Sequence, residues 1–404
     1  MKVLAVNKFY YMKGGSESYF FGLKDLLEEN NIEVIPFSMK SSKNLKTIYE
    51  DNFIENIDYS NMNFKQKIIN SGNIIYSFEA KRKIDALINQ TTPDIAHLHI
   101  FQHQLTPSII HSLKSHNIKI VNTIHDLKVI CPNYMMLNKK GICEECKGKK
   151  YYKCYVNSCI KNSKAKSLIG TLEAYVNEYL KSYSYVDKFI CPSKFYMEKL
   201  IDFGIPEKKV CYIPNFVDVP DSNKEYEIKN YILYMGRLSQ EKGINFLIEA
   251  MKDLKHIELK VAGAGPLENE LKEYVKENKI ENVSFLGFKS HDELEKIIKE
   301  CRFIVIPSEW YENCPMTVLE SMAYGKCVLG SDMGGIPELI KDKKTGLIFK
   351  SQDKKDFIEK ISYLYDNPLL AKDMGDEAKK CAKEEYNKEL HLKKVKAVYD
   401  ELLN

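Results

Sequence analysis

Residues 302–338 read RFIVIPSEWYENCPMTVLESMAYGKCVLGSDMGGIPE. The apolar run 303–306 predicts a buried strand. The polar turn after it places Glu312 at the mouth of a helix whose apolar face is Val318, Leu319, Met322 and Ala323. Glu320 lies eight positions after Glu312. A second apolar run, 327–329, ends in the turn Asp332-Met333-Gly334-Gly335-Ile336-Pro337-Glu338. Two consecutive strand ends thus bring acids and bare backbone N–H groups to one sheet edge, the edge at which open α/β sheets bind ligands. Carboxylates hold hydroxyls and N–H groups at helix starts hold phosphate, a pairing that suits a nucleotide joined to a sugar.

Outward from this stretch, strand patterns alternate with helical ones. Runs 3–6, 34–37, 95–98, 119–123, 188–190 and 210–213 predict strands in the first half, and 232–235, 259–262, 283–285, 303–306 and 327–329 in the second. Amphipathic stretches separate them. One is 167–183, with Leu168, Leu172, Tyr175, Val176, Tyr179 and Leu180 on a single stripe. Such alternation predicts parallel sheets covered by helices on both faces, and two series predict two Rossmann-like domains. The segment 214–220 (PNFVDVP) is the expected hinge, and beyond about 354 the chain is helical and Lys/Glu-rich, with a break at Asp366-Asn367-Pro368.

Two further turns carry phosphate chemistry. Met235-Gly236-Arg237-Leu238-Ser239-Gln240-Glu241-Lys242-Gly243 follows the first strand of the second series and opens a helix, so Arg237 and Lys242 can converge on an anion from its two ends. Cations placed this way stabilise the charge that grows on a leaving diphosphate. The next strand ends in Gly263-Ala264-Gly265, which lets backbone approach a ligand, although a lone GxG is a weak signal. In the first half, Gly14-Gly15-Ser16-Glu17 precedes an apolar helix, a second place where a helix N-terminus faces phosphate. No GxGxxG is present there, which argues against an NAD site.

These motifs together resemble the donor site of retaining glycosyltransferases of the GT-B fold, specifically the family-four group that includes sucrose synthases and bacterial mannosyl- and glucosyltransferases. The hallmark is the glutamate pair Glu312/Glu320 with the Gly334-Gly335 turn. The G-R-L-x-x-x-K-G clamp at 236–243, the PNF-V-D linker and the GG-x-E turn at 14–17 match as well. The resemblance implies an α/β architecture, two Rossmann-like doubly wound parallel-sheet domains facing a cleft. The expected division is 1–218 for the acceptor side (with an insertion at 131–166), 219–384 for the nucleotide-sugar side, and 385–404 for a terminal helix crossing back. It implies roles: Glu312 orients sugar hydroxyls and Glu320 holds the ribose. Arg237 and Lys242 stabilise the leaving diphosphate, and His125, in Thr123-Ile124-His125-Asp126, meets the donor sugar. Gly14, Gly15, Gly236, Gly263, Gly265, Phe288, Asn313, Cys314, Gly334 and Gly335 complete the donor-binding set, with Phe288 against the base. Retention without a clear nucleophile implies front-face displacement, so no general base is assigned. No D-x-D occurs, and no cofactor is expected to be required for catalysis.

His97 and His99 share a strand face, and they are read equally as core histidines or as site residues. Cys143, Cys146, Cys154 and Cys159 give four thiols in seventeen residues, enough for a structural zinc. Reduced packing thiols or a redox pair are the alternatives, and Cys131 is a potential fifth member.

Hydrophobic content of 44% and charged content of 29% over 404 residues describe a globular chain with ample core. No run reaches the roughly 18 apolar residues of a spanning helix, and the N-terminus lacks a signal-peptide pattern, so a cytoplasmic site is expected. Net charge is only +4, yet residues 139–166 hold nine lysines and two acids. That patch points to an anionic membrane surface or to nothing more than a solvated loop. The partners expected are a nucleotide-diphosphate sugar donor and a glycan or lipid-linked acceptor, with the enzyme peripheral at the inner membrane face. No nucleic-acid signature appears. The competing readings are a GT-B nucleotide-sugar 2-epimerase and a non-enzymatic polyanion binder.

Overall fold

The structure is a computed structural model and describes residues 1–56, 72–220, 226–289 and 291–404. The chain divides into two compact units, 1–214 with 391–404, and 215–390.

The first unit is built on six parallel strands: β1 (Lys2–Val6), β2 (Glu33–Phe37), β3 (Ile95–Leu98), β4 (Lys119–Thr123), β7 (Lys188–Cys191) and β8 (Val210–Tyr212). Their order is β2-β1-β3-β4-β7-β8. A short hairpin, β5 (Leu137–Asn138) and β6 (Gly141–Ile142), stands apart within the insertion. Every residue of β3 is buried, and so are four of five in β1, β2 and β4. This is the continuous apolar pattern of a parallel sheet covered on both faces.

The second unit repeats the plan with β9 (Tyr231–Met235), β10 (Glu258–Ala262), β11 (Val283–Gly287), β12 (Ile304–Ile306), β13 (Val328–Ser331) and β14 (Gly346–Phe349), in the order β11-β10-β9-β12-β13-β14. Period-two alternation sends Ile232 and Tyr234 into the core on one face, with Leu247, Val305, Leu329 and Phe349. Leu233 and Met235 enter the core on the other, with Ile304, Val318, Leu319 and Val328. In both units the strand order reverses beside the first strand, between β1 and β3 and between β9 and β12. That reversal is the point at which doubly wound sheets open a crevice.

Three helices end the chain: Lys354–Asp366, Pro368–Glu385 and Lys388–Leu403. Pro368 breaks the first two apart by opening the second at a position where its missing N–H costs nothing. From His391 the last helix belongs to the first unit. Tyr399 Oη bonds His97 Nδ1 at 2.6 Å, and His391 Nε2 bonds Tyr19 Oη at 3.0 Å.

One reading is corrected. The stripe assigned to 167–183 suggests an inward-facing apolar surface, but the helix is Lys164–Tyr179, and Leu168, Leu172, Tyr175 and Tyr179 point outward. Its buried residues are Ser167, Gly170, Thr171, Glu173 and Asn177. The cause is a polar network beneath it: Ser167 Oγ accepts from Ile160 N at 2.9 Å, Glu173 pairs with Lys128, and Asn177 Oδ1 accepts from Ser182 Oγ at 3.1 Å. Strand β14 was not anticipated, because its four residues follow a Lys-rich turn and are too few to carry a period.

Candidate active site

In the second unit five consecutive strand ends meet at one sheet edge. Lys242 follows β9 and Glu312 follows β12, so the two straddle the reversal of strand order. Lys242 Nζ lies 2.7 Å from Glu312 Oε1, and Ser308 Oγ donates to the same oxygen at 2.6 Å. Lys242 also sits over the Trp310 ring, 5.2 Å from its centroid. Glu312 is buried. Burial alone would raise its pKa, but the charge and hydrogen bond of Lys242 and the Ser308 hydroxyl outweigh that and hold it below the ordinary carboxylate value. The acid is therefore an anion at neutral pH, anchored from one side.

The turn after β13 locks its backbone. Gly335 N donates to Glu312 O at 2.8 Å. Gly334 has φ +62°, and a Cβ there would lie 2.2 Å from Glu312 O, a distance no side chain tolerates. Gly263 permits a similar approach, since a Cβ there would meet Gly236 O at 1.9 Å. Its freedom thus serves first the packing of two neighbouring turns, and the Gly236 and Gly265 backbones belong to the same packed set.

Glu320 is partly exposed in the helix Met316–Ala323, and burial of its carboxyl raises the pKa to about 7. Asn313 is half-buried and Cys314 is buried, with its carbonyl accepting from Asn215 Nδ2 at 3.0 Å. Arg237 is exposed at the end of β9, and Phe288 is 83% exposed just after β11. The acidic pair, the lysine and both glycine turns thus share one edge of this unit.

In the first unit, Gly14 caps the helix Gly15–Glu29 after β1. Glu17, in its first turn, is buried, and burial raises its pKa. His125 lies past β4, with its Nε2 3.1 Å from His99 Nδ1. His97 is held between Tyr399 Oη and Thr123 Oγ1 at 2.6 and 2.7 Å. Burial drives His125 down to about 4 and His97 to about 3, so both rings are neutral at ordinary pH and act as hydrogen-bonding groups. His97 thus takes the core role and His99 stands against the candidate site residue.

Sequence reading missed the buried pair Lys128–Glu173. Lys128 Nζ meets Glu173 Oε2 at 2.7 Å and Pro132 O at 2.8 Å, and both side chains are at most 4% exposed. They line a cavity of 320 Å³, and among the described residues Glu173 Oε1 has no hydrogen-bond partner. The only available signal was a glutamate on the polar side of a helix, and that ordinarily reads as solvent-facing.

Cys154 and Cys159 share a side-chain hydrogen bond, and Cys131, Cys143 and Cys146 lie within electrostatic reach of Cys159 or of one another. All are free thiols. Among the described residues, no three His, Cys, Asp or Glu side chains are grouped so as to hold a metal ion. Likewise, no described helix is long and apolar enough to cross a membrane.

Residues 13–220 match the model of Glycosyltransferase Family 4, and residues 218–381 match that of Glycosyl transferases group 1. An uncharacterized glycosyltransferase of Methanocaldococcus jannaschii is 32% identical over 216 residues, 54% of this chain and 60% of the relative. The N,N'-diacetylbacillosaminyl-diphospho-undecaprenol alpha-1,3-N-acetylgalactosaminyltransferase of Campylobacter jejuni is 25% identical over 265 residues, 62% and 68% of the two chains. The first of these alignments spans less than two thirds of the relative's length. Sucrose-phosphate synthase from Thermosynechococcus elongatus superposes with a TM-score of 0.73 at 16% identity, over 99% of this chain and 98% of that one, a likeness of fold.

Proposed function

The chain belongs to glycosyltransferase family 4, and from that premise we propose that it transfers a hexosyl group, with retention, from a nucleotide-diphosphate sugar to a glycan or lipid-linked acceptor in cell-envelope polysaccharide synthesis. The observation that carries this is the Lys242–Glu312 pair at the strand-order reversal, its backbone gripped by the Gly334-Gly335 turn. A donor diphosphate arriving there meets an ammonium already fixed in place, and positioned charge needs no reorganisation as the glycosidic bond breaks. Glu312 orients sugar hydroxyls and Glu320 holds the ribose. Arg237 adds a second cation for the leaving group.

Neutral His125 contributes a hydrogen bond to the donor sugar and no proton abstraction, in keeping with front-face displacement in which the leaving phosphate takes the acceptor proton. The lipid-linked acceptor is favoured by the lysine-rich insertion and by the diphospho-undecaprenol substrate in the name of the Campylobacter relative. The enzyme then works at the inner membrane face. Nothing observed favours the epimerase or polyanion-binder readings.

A thermal-shift screen of nucleoside diphosphates and their sugars tests the donor half. A true donor at 100 times its Kd adds about 2.7 kcal/mol of stability, and Glu320→Gln should abolish the preference for ribose over deoxyribose. Absence of any stabilising nucleotide would refute it. A structural zinc on Cys143, Cys146, Cys154 and Cys159 requires those thiols to reorient. Elemental analysis of untagged protein decides it: about one zinc per chain supports the four-thiolate site, and none removes it.

A further inference from the structure

The helix Lys164–Tyr179 is inside out for a globular protein. Its buried face is Ser167, Thr171, Glu173 and Asn177, while Leu168, Leu172, Tyr175 and Tyr179 stand 44%, 46%, 39% and 86% exposed. Steps of four, three and four residues put these side chains on one stripe along the outer surface. The short helix Tyr152–Val156 extends it with Tyr152, Tyr155 and Val156, at 48%, 39% and 59% exposure. The two helices form one surface: Tyr152 N donates to Tyr175 Oη at 3.2 Å, and the Tyr151 and Tyr175 rings meet edge-on at 5.3 Å. Contiguous exposed apolar side chains of this kind mark an interaction surface.

Charge selects the partner. Lys139, Lys140, Lys150, Lys161, Lys164 and Lys166 are exposed, and among the described residues none has a carboxylate within ion-pairing distance. A second copy docking through the same stripe would set a strongly cationic segment against its own twin, as a two-fold contact requires. A bilayer with anionic headgroups offers the complement to both features, an apolar phase for the leucines and negative charge for the lysines. The four tyrosines suit the boundary between them, since the ring is apolar and its hydroxyl stays wet.

We infer that the outer face of Tyr152–Val156 and Lys164–Tyr179 is a membrane-docking surface that lies in the headgroup region of an anionic bilayer, with Leu168, Leu172 and Tyr179 inserted and the flanking lysines on the phosphates. This deepens the proposal of a membrane-borne acceptor and rests on it for its purpose, but the docking is measurable by itself. Insertion explains why the helix keeps its polar residues inward: its apolar side has another phase to enter.

The test is co-sedimentation of the full-length protein with vesicles of phosphatidylglycerol and phosphatidylcholine, against phosphatidylcholine alone, at 0.1 M and 1 M salt. The native chain should bind anionic vesicles, weaken at high salt as the Debye length falls from about 10 to about 3 Å, and retain a salt-resistant remainder. Leu168→Ser/Leu172→Ser/Tyr179→Ser should lower binding by at least about tenfold at both salts. Lys161→Gln/Lys164→Gln/Lys166→Gln should lower it only at 0.1 M. A probe of depth follows from Trp310 being the single tryptophan. In a Trp310→Phe background, Tyr179→Trp emission should shift to the blue on vesicles and be quenched by brominated acyl chains. The inference is overturned if the native chain ignores anionic vesicles, if the apolar triple variant binds as well as the native chain, or if the stripe instead supports a concentration-dependent dimer that this variant abolishes. Nucleoside-diphosphate binding, measured on the native chain and on the apolar and lysine variants that keep Trp310, reports on the second unit separately, so loss of docking leaves the transferase reading standing and the reverse.

Discussion

Removing the ammonium at Lys242 leaves Glu312 a buried anion held by the Ser308 hydroxyl and the Trp310 side chain, with no cation beside it. Breaking a fully buried pair from one side costs about 3–5 kcal/mol. Here the Lys242 side chain keeps 28% of its exposure and the 2.6 Å bond from Ser308 survives, so the loss resembles that of one charge-assisted hydrogen bond, about 2 kcal/mol. For a unit the size of 215–390, Lys242→Met should therefore lower Tm by about 4–8 °C at neutral pH. The pH dependence gives the reasoning its edge. In the native chain the Glu312 pKa lies below the ordinary 4.5, so its contribution is present above that value and is lost only as pH falls through the lower, folded one. Without Lys242, burial dominates and the folded pKa rises. The penalty then operates at neutral pH and fades as the acid protonates toward 4.5. Differential scanning calorimetry of both proteins from pH 8 to pH 4.5 should show the deficit shrinking, and Glu312→Gln in the variant background should recover most of it. A deficit that is constant across pH, or no deficit, would refute the account of this pair.

Glu320, raised to about 7, works in the opposite sense: its penalty grows as pH rises from about 4.5 to 7, so Glu320→Gln should melt above the native protein at pH 8 and equal to it near pH 4.5. Gly334→Ala forces a side chain into the left-handed region against Glu312 O; a cost of about 1–3 kcal/mol and weaker nucleotide affinity should appear together in a melt and a titration. Lys128→Met should destabilise by about 3–5 kcal/mol in denaturant unfolding, and Glu173→Met added to it should restore most of the loss. Transfer should show no pH limb near 6.5 from His125, whose folded value is about 4; a rate profile with its acid limb at 6.5 abolished by His125→Asn would contradict the neutral-ring assignment.

The features legible in the sequence are those with a local period or a fixed spacing. Ile232 to Met235 and Phe303 to Ile306 announced buried strands because parallel strands are apolar on both faces, and Glu312, Glu320 and the Gly334-Gly335 turn announced their edge through spacing. The Lys242–Glu312 bond was only partly visible: both residues were singled out, but each for a ligand, and their pairing depends on β9 and β12 being neighbours, which no local pattern encodes. His97 and His99 could not be separated, since identical residues two apart on one strand differ only in what packs on them, here Tyr399 and His125. The Lys164–Tyr179 helix misled because hydrophobic periodicity reports which side is apolar and not which side faces in. Its buried side is decided by Lys128, a residue remote in sequence from Glu173, together with Ser182 just past the helix end.

The placement of residues 391–404 with the first unit has a consequence for how the protein is made. The second unit is one unbroken span, 215–390, and can close as soon as it leaves the ribosome, whereas the first waits for the final helix to bring Tyr399 to His97 and His391 to Tyr19. At about 5–20 residues per second, translation from 214 to 404 leaves that unit incomplete for about 10–40 s, with the last-helix surface beside β3 open. A nascent chain arrested before 391 should thus be protease-resistant across the later half and sensitive across the earlier one, an inversion of the usual order in which amino-terminal domains mature first.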